Sequence, residues 1–255
     1  AQATTIAGFA NAVVYSVSDN AANVAGAAGA GLNEAVAITA TTAATVAQRD
    51  VIEAATNSGA NTYDITDSAA NLAAAGNAKV TTGGTVTANN AATAAQATTI
   101  AGFAKAVVYS INDTATNVAN AVGNPLNEAV NITASTGASV AQALVIHQAT
   151  NSGSNTYSIN DNVANIVGGN AAAINASVAI TSTNAATVAQ RDTIEAFTNS
   201  GANTYDITDS AANLAAAGNA KLVTGGTVTS NNAATAAQAT TISGFAKAVV
   251  YSVSD

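Results

Sequence analysis

The chain has 255 residues, of which 49% are apolar and 8% charged, with a formal net charge of −8. Its 6 Lys and Arg residues cannot neutralise a run of phosphates, which excludes nucleic acid and an anionic membrane surface as partners. The absence of Cys excludes a disulfide framework and a thiolate metal site, and no apolar run reaches the ~18 residues of a membrane span.

In chain order, Ala1–Asp19 reads AQATTIAGFANAVVYSVSD. It sets a phrase that returns throughout. Ala-Gln pairs end at Gln2, Gln48, Gln96, Gln142, Gln190 and Gln238, and each is followed by a tyrosine: Tyr15, Tyr63, Tyr109, Tyr157, Tyr205 and Tyr251. An aspartate follows each tyrosine: Asp19, Asp67, Asp113, Asp161, Asp209 and Asp255. The period is about 47 residues, and such a period sets the architecture before any local pattern does. The units run 1–46, 47–94, 95–140, 141–188, 189–236 and, in part, 237–255. A shared core should make 1–255 one array. No basic-plus-apolar leader opens the chain, so a targeting signal is expected outside it. Ala237–Asp255 nearly repeats Ala1–Asp19, so a segment of a longer array is expected.

Each unit reads as two strands and two helices. The first helix is expected to start at Thr42, Asn90, Thr136, Asn184 or Asn232, acting as N-caps. Ala44, Ala47, Val51 and Ala54 or Ala55 then follow at helical spacing. In the longer units it should stop at Asn57-Ser58-Gly59, with the glycine left-handed. In the first strand Tyr63 and Ile65 point one way, and Thr62, Asp64 and Thr66 the other. Asp67, like Asp209, should N-cap a short helix, SAANLAAA. The second strand carries Val36 and Ile38, Val130 and Ile132, Val178 and Ile180, or Val86 and Val228. About 23 residues per strand-plus-helix turn falls within the range of leucine-rich-repeat-like solenoids. The expected fold is therefore an α/β repeat solenoid with a parallel sheet and right-handed crossovers. The rival is one coil per 47-residue unit with two sheets.

The recurrent Asp19, Asp67, Asp113, Asp161 and Asp209 suggest a calcium ladder. One Asp per turn lacks the several oxygens calcium needs, so caps and turn-satisfying side chains are the preferred role. No other cofactor is indicated. Asp64 and Asp67 lie on opposite strand faces and do not converge as an acid/base pair. Arg49, Asp50 and Glu53, with Arg191, Asp192 and Glu195, read as a solvated helical face. His147 has no second His or Cys to complete a site, and falls where other units are polar. Gly83-Gly84 and Gly225-Gly226 precede strands, unlike a phosphate loop. The polar groups recur in copies, so no enzyme is expected.

The phrase Y-x-I-x-D-x-A-A-N-(L/V/I), alternating with A-x-x-A-Q-x-x-x-I, spans Tyr63–Leu72, Tyr109–Val118 and Tyr157–Ile166 in its variants. It resembles the tandem repeats of large bacterial type I-secreted surface and adhesin proteins, and the composition is similar to S-layer proteins. The resemblance implies export, self-association and a cell-surface role. The function expected is an extracellular structural protein that polymerises head-to-tail with copies of itself into a filament, stalk or surface layer. The alternative is an adhesin-type module binding polysaccharide, or ice, on its Thr/Asn-rich strand face.

Overall fold

The computed structural model describes residues 1–254; Asp255, last of the recurrent aspartates, lies outside them. Contacts gather the chain into two compact units. The first is Ala1–Asn112, Asn120–Ile132 and Thr150–Ser154; the second is Asp113–Ala119, Thr133–Ala149 and the chain from Asn155 onward.

In the first unit, strand Val17–Asp19 pairs with Ile38–Ala40, and that strand pairs with Asn61–Thr62, all parallel. Ile65–Asp67 pairs in parallel with Val86–Ala88. The second unit repeats this. Ile180–Ser182 lies between Ile159–Asp161 and Asn203–Thr204, and Val228–Ser230 between Ile207–Asp209 and Val249–Val250. Partners such as Ile65 and Val86, or Ile38 and Asn61, are one strand-plus-helix passage apart, since a parallel neighbour needs a crossover. Short parallel sheets alternating with helices form an α/β fold compatible with a repeat solenoid.

The helices alternate in kind. After Ile38–Ala40 comes an eight-residue helix, Val46–Glu53; after Ile65–Asp67 come two short ones, Ala69–Ala75 and Asn77–Val80. The strand alternation predicts which side chains go inside. Tyr63, Ile65 and Asp67 are buried, Thr62 and Asp64 exposed, and Thr66 half-buried. Ile38, Ile65 and Val86 form the sheet side of the first unit's core, with Val24, Ile52, Leu72 and Ile100 from helices. Burying such a side chain stabilises the fold by roughly 1.5–3 kcal/mol.

Four local expectations are corrected. The inward stripe of the eight-residue helices is Ala94, Ala97 and Ile100, or Val140, Ala143 and Ile146, not the row through Ala47 and Val51. Ala47 is exposed, and Ala44 is buried in a β-bridge to Ile65 before the helix begins. Val36 and Val178 are exposed because regular strand begins only at Ile38 and Ile180. Val46–Glu53 ends at Ala54, so Gly59 is no helix cap, and φ is positive only at Gly29, Gly76, Gly123 and Gly218 among the described residues.

No helix among the described residues is long and apolar enough to cross a membrane.

Candidate functional site

The recurrent polar side chains tie each passage of chain to the next. Thr45, not Thr42, caps Val46–Glu53: its Oγ1 accepts from the Gln48 N–H at 3.2 Å, and Gln48 Oε1 accepts from the Thr45 N–H at 2.9 Å. This reciprocal box satisfies two orphan donors, and it recurs at Thr93, Ser139, Thr187 and Thr235. Residues Asn90 and Asn232 instead reach back to a preceding helix. Their Oδ1 atoms accept from the first helical N–H groups, of Ala69 and Ala211, at 2.8 Å. Asn184 does the same for Val163, while Thr42 and Thr136 serve Ala21 and Ala115 through Oγ1.

Asp67 and Asp209 are not N-caps either. Ser68 and Ser210 hold that position. Asp67 Oδ1 accepts from the Ser68 N–H at 2.7 Å and Asn71 Nδ2 at 2.8 Å, while Oδ2 accepts from the Val46 N–H at 2.9 Å. One carboxylate thus joins the N-termini of two successive helices, where the helix dipole favours negative charge. Asp161 reaches Val140, and Asp209 reaches Val188, in the same way. Asp19 and Asp113 accept from Asn23 and Asn117. At Asp67 every described partner is an N–H donor, which a calcium ion would have to displace. Among the described residues, no three His, Cys, Asp or Glu side chains gather as a metal site.

Burial opposes ionisation of Asp67, but donors from Asn71, Val46 and Ser68 outweigh it and hold the carboxyl below its ordinary value. Asp161 and Asp209 are shifted the same way. A carboxyl lowered in the folded state contributes stability that is complete above its unfolded pKa and is lost as pH falls through its folded one. The melting temperature should therefore hold from pH 7 to about 5 and fall steeply below about 4; thermal melts across that range test it.

Arg49 and Arg191 take the helix position that Ala97 and Ala143 fill in other units, so they lie half-buried against the following segment instead of on a fully solvated face. The Arg49 side chain is only 13% exposed. Its Nε and Nη2 donate to Thr82 Oγ1 at 3.3 and 3.1 Å, and Nη1 pairs with Asp50 at 2.9 Å. Lys79 also pairs with Asp50. Buried Tyr63 donates to Glu53 Oε1 at 2.7 Å. With one proton per hydroxyl, Thr82 is then the donor in its 2.7 Å bond to Tyr63. Arg49, Thr82, Tyr63 and Glu53 thus form one directed chain. Arg191, Thr224, Tyr205 and Glu195 repeat it, with Asp192 and Lys221 alongside. Burial raises the Tyr63 hydroxyl and pushes that of Tyr205 up to about 12, so both stay protonated donors at neutral pH.

The glycine pair before Val86 serves packing: a Cβ on Gly84 would strike Asp64 Oδ1, which accepts from the Thr85 N–H at 2.6 Å. His147 is exposed, as its unit position suggests. Asn61, Asn155 and Asn203 donate through Nδ2 to the carbonyls of Ile52, Ile146 and Ile194, and their buried Oδ1 atoms have no partner among the described residues. On the outward sheet face threonines pair in register, Thr39 with Thr62 and Thr66 with Thr87, then Thr181 with Thr204 and Thr208 with Thr229.

Comparison of the chain with protein-family models, curated proteins and solved structures yields no match.

Proposed function

We propose that this chain is a structural repeat segment of an exported surface protein, with a mechanical rather than catalytic role. The observation that carries this reading is the destination of its recurrent polar groups. Asp67, Asp161 and Asp209, like Asn90, Asn184 and Asn232, bind backbone N–H groups 21 residues earlier. Such bonds make each passage of chain the template for its neighbour. Stability then accumulates by nearest-neighbour terms, as in solenoids. On this reading the whole chain is one leucine-rich-repeat-like array, with about 23 residues per turn and two turns per sequence repeat. The resemblance to tandem repeats of type I-secreted surface proteins favours an extracellular or cell-surface location. Parallel strand edges favour head-to-tail association of copies into an open filament, stalk or layer.

Sedimentation and negative-stain electron microscopy of the purified chain test the assembly. The expected result is concentration-dependent linear polymers; monomers at every concentration up to the millimolar range would refute it.

One observation favours a second reading, a glycan-binding face. The in-register threonines present hydroxyls at strand spacing, ~4.8 Å. If this is the working surface, replacing Thr39, Thr62, Thr66 and Thr87 together by valine abolishes binding to insoluble polysaccharide and leaves assembly intact.

A further inference from the structure

The unit copies differ most in how they hold the segment after the first short helix. In three copies that segment has several buried anchors. Leu32 and Ala35 are buried in one, Leu126 and Ala129 in another, and Ala173, Ile174 and Ser177 in the third. In each, a tyrosine hydroxyl donates to a backbone carbonyl of the segment: Tyr15 to Gly31 at 3.2 Å, Tyr109 to Pro125 at 2.8 Å, Tyr157 to Ala173 at 2.7 Å. None of these ties titrates in the acid range.

Residues 77–85 are held otherwise. Within them, before the strand resumes at Val86, Val80 is the one large apolar anchor. The segment begins after Gly76, at φ 73°, and carries Gly83-Gly84 near its end, so both ends have glycine freedom. Its other ties are polar or ionic. Lys79 pairs with Asp50, Thr82 receives Arg49 and donates to Tyr63, and the Thr85 N–H donates to Asp64. The Lys105 ammonium donates to the Gly83 carbonyl, Asn77 accepts from the Ala104 N–H, and the Gly84 N–H donates to the Tyr63 carbonyl. Beneath it lie Tyr63 and Ile65, both close to Gly83.

We propose that residues 77–85, and their copy 219–227, are charge-held flaps over Tyr63 and Tyr205 that open locally on acidification while the surrounding sheet and helices stay folded. The groups facing the flap are Arg49, Asp50, Glu53, Tyr63, Asp64, Lys79 and Lys105. The acid-sensitive ties run through the carboxylates of Asp50 and Asp64. Protonating Asp50 leaves Arg49 and Lys79 without their counter-charge. Protonating Asp64 weakens the acceptor for Thr85. The Lys79 hydrogen bond holds Asp50 below its ordinary value, and the Thr85 N–H does so for Asp64, so these ties persist at neutral pH and fail in acid. Local opening needs only the free energy of these few ties, far below that of unfolding a unit.

Hydrogen exchange of the full chain, corrected for intrinsic rates and followed by peptide mass spectrometry, tests this. At a pH where peptides over Ile38–Ala40 and Ile65–Asp67 keep their protection, 77–85 and 219–227 should lose it by roughly five- to tenfold. Peptides over 30–36 and 124–130 should not. At neutral pH, Asp50→Asn should open 77–85 to a similar extent and leave 219–227 closed in the same molecule. Equal loss in the 30–36 and 124–130 peptides, retained protection in acid, or no effect of Asp50→Asn would each overturn the proposal.

Discussion

Replacing Asp67 by alanine lowers stability by about 2–4 kcal/mol, because one carboxylate is the acceptor for three donors and a fully buried bond to a charged acceptor contributes a net of about 1.5–3 kcal/mol. The discount reflects the partial exposure of its donors. Asp67→Asn does not restore the loss, since the amide places an NH2 against an N–H donor. The two helix N-termini served by Asp67, at Val46 and Ala69, lie in the first unit, so its denaturation midpoint should drop while the second unit's is unchanged. Asp209→Ala should reverse that assignment. Urea titration followed by exchange at both sets of peptides checks the pair. Equal loss in both units from either substitution would contradict a locally acting ladder.

Gly59→Ala should be comparably damaging for a steric reason. A Cβ at Gly59 would overlap the Val36 carbonyl oxygen, and at Gly201 it would lie 2.5 Å from the Val178 carbonyl oxygen. Backbone on both sides must move, so a cost of about 1–3 kcal/mol or more is expected. Gly26→Ala is the control. Nothing lies within 4 Å of a Cβ there, and the residue closes the helix Ala21–Gly26. That change should be neutral or stabilising by up to about 1 kcal/mol. Calorimetric melts of the two variants give the comparison, and a Gly59→Ala protein melting with the parent would refute the close approach.

Parts of the polar framework are legible in the sequence. Thr45 with Gln48, and its four relatives, spell the Ser/Thr-x-x-Gln spacing of a capping box. Caps at Thr42 and Asn90 would start the helices three residues early and shift their phase. That shift would leave Arg49 on a solvent face, whereas the equivalent Ala97 and Ala143 mark its position as inward. The glycine of Asn-Ser-Gly looked like a helix terminator, yet its constraint comes from the Val36 carbonyl, 23 positions earlier in sequence.

The repeat and the inward side of the strand through Tyr63 and Ile65 are legible in the sequence; the strand bounds are not, since Thr62 and Ile65 fall in separate strands and Val36 and Val178 in none. The inward side is a local matter: a period of two along a strand sends Tyr63 and Ile65 inside and leaves Thr62 and Asp64 outside. What the polar residues bind is settled by packing between segments distant in sequence. Whether Asp67 serves its own helix or also the preceding one depends on which chain segment lies beside it. So does the partner of Tyr63, a carboxylate here but a carbonyl for Tyr109 and Tyr157. A side chain's type sets what it can donate or accept, and packing in three dimensions selects the neighbour that satisfies it.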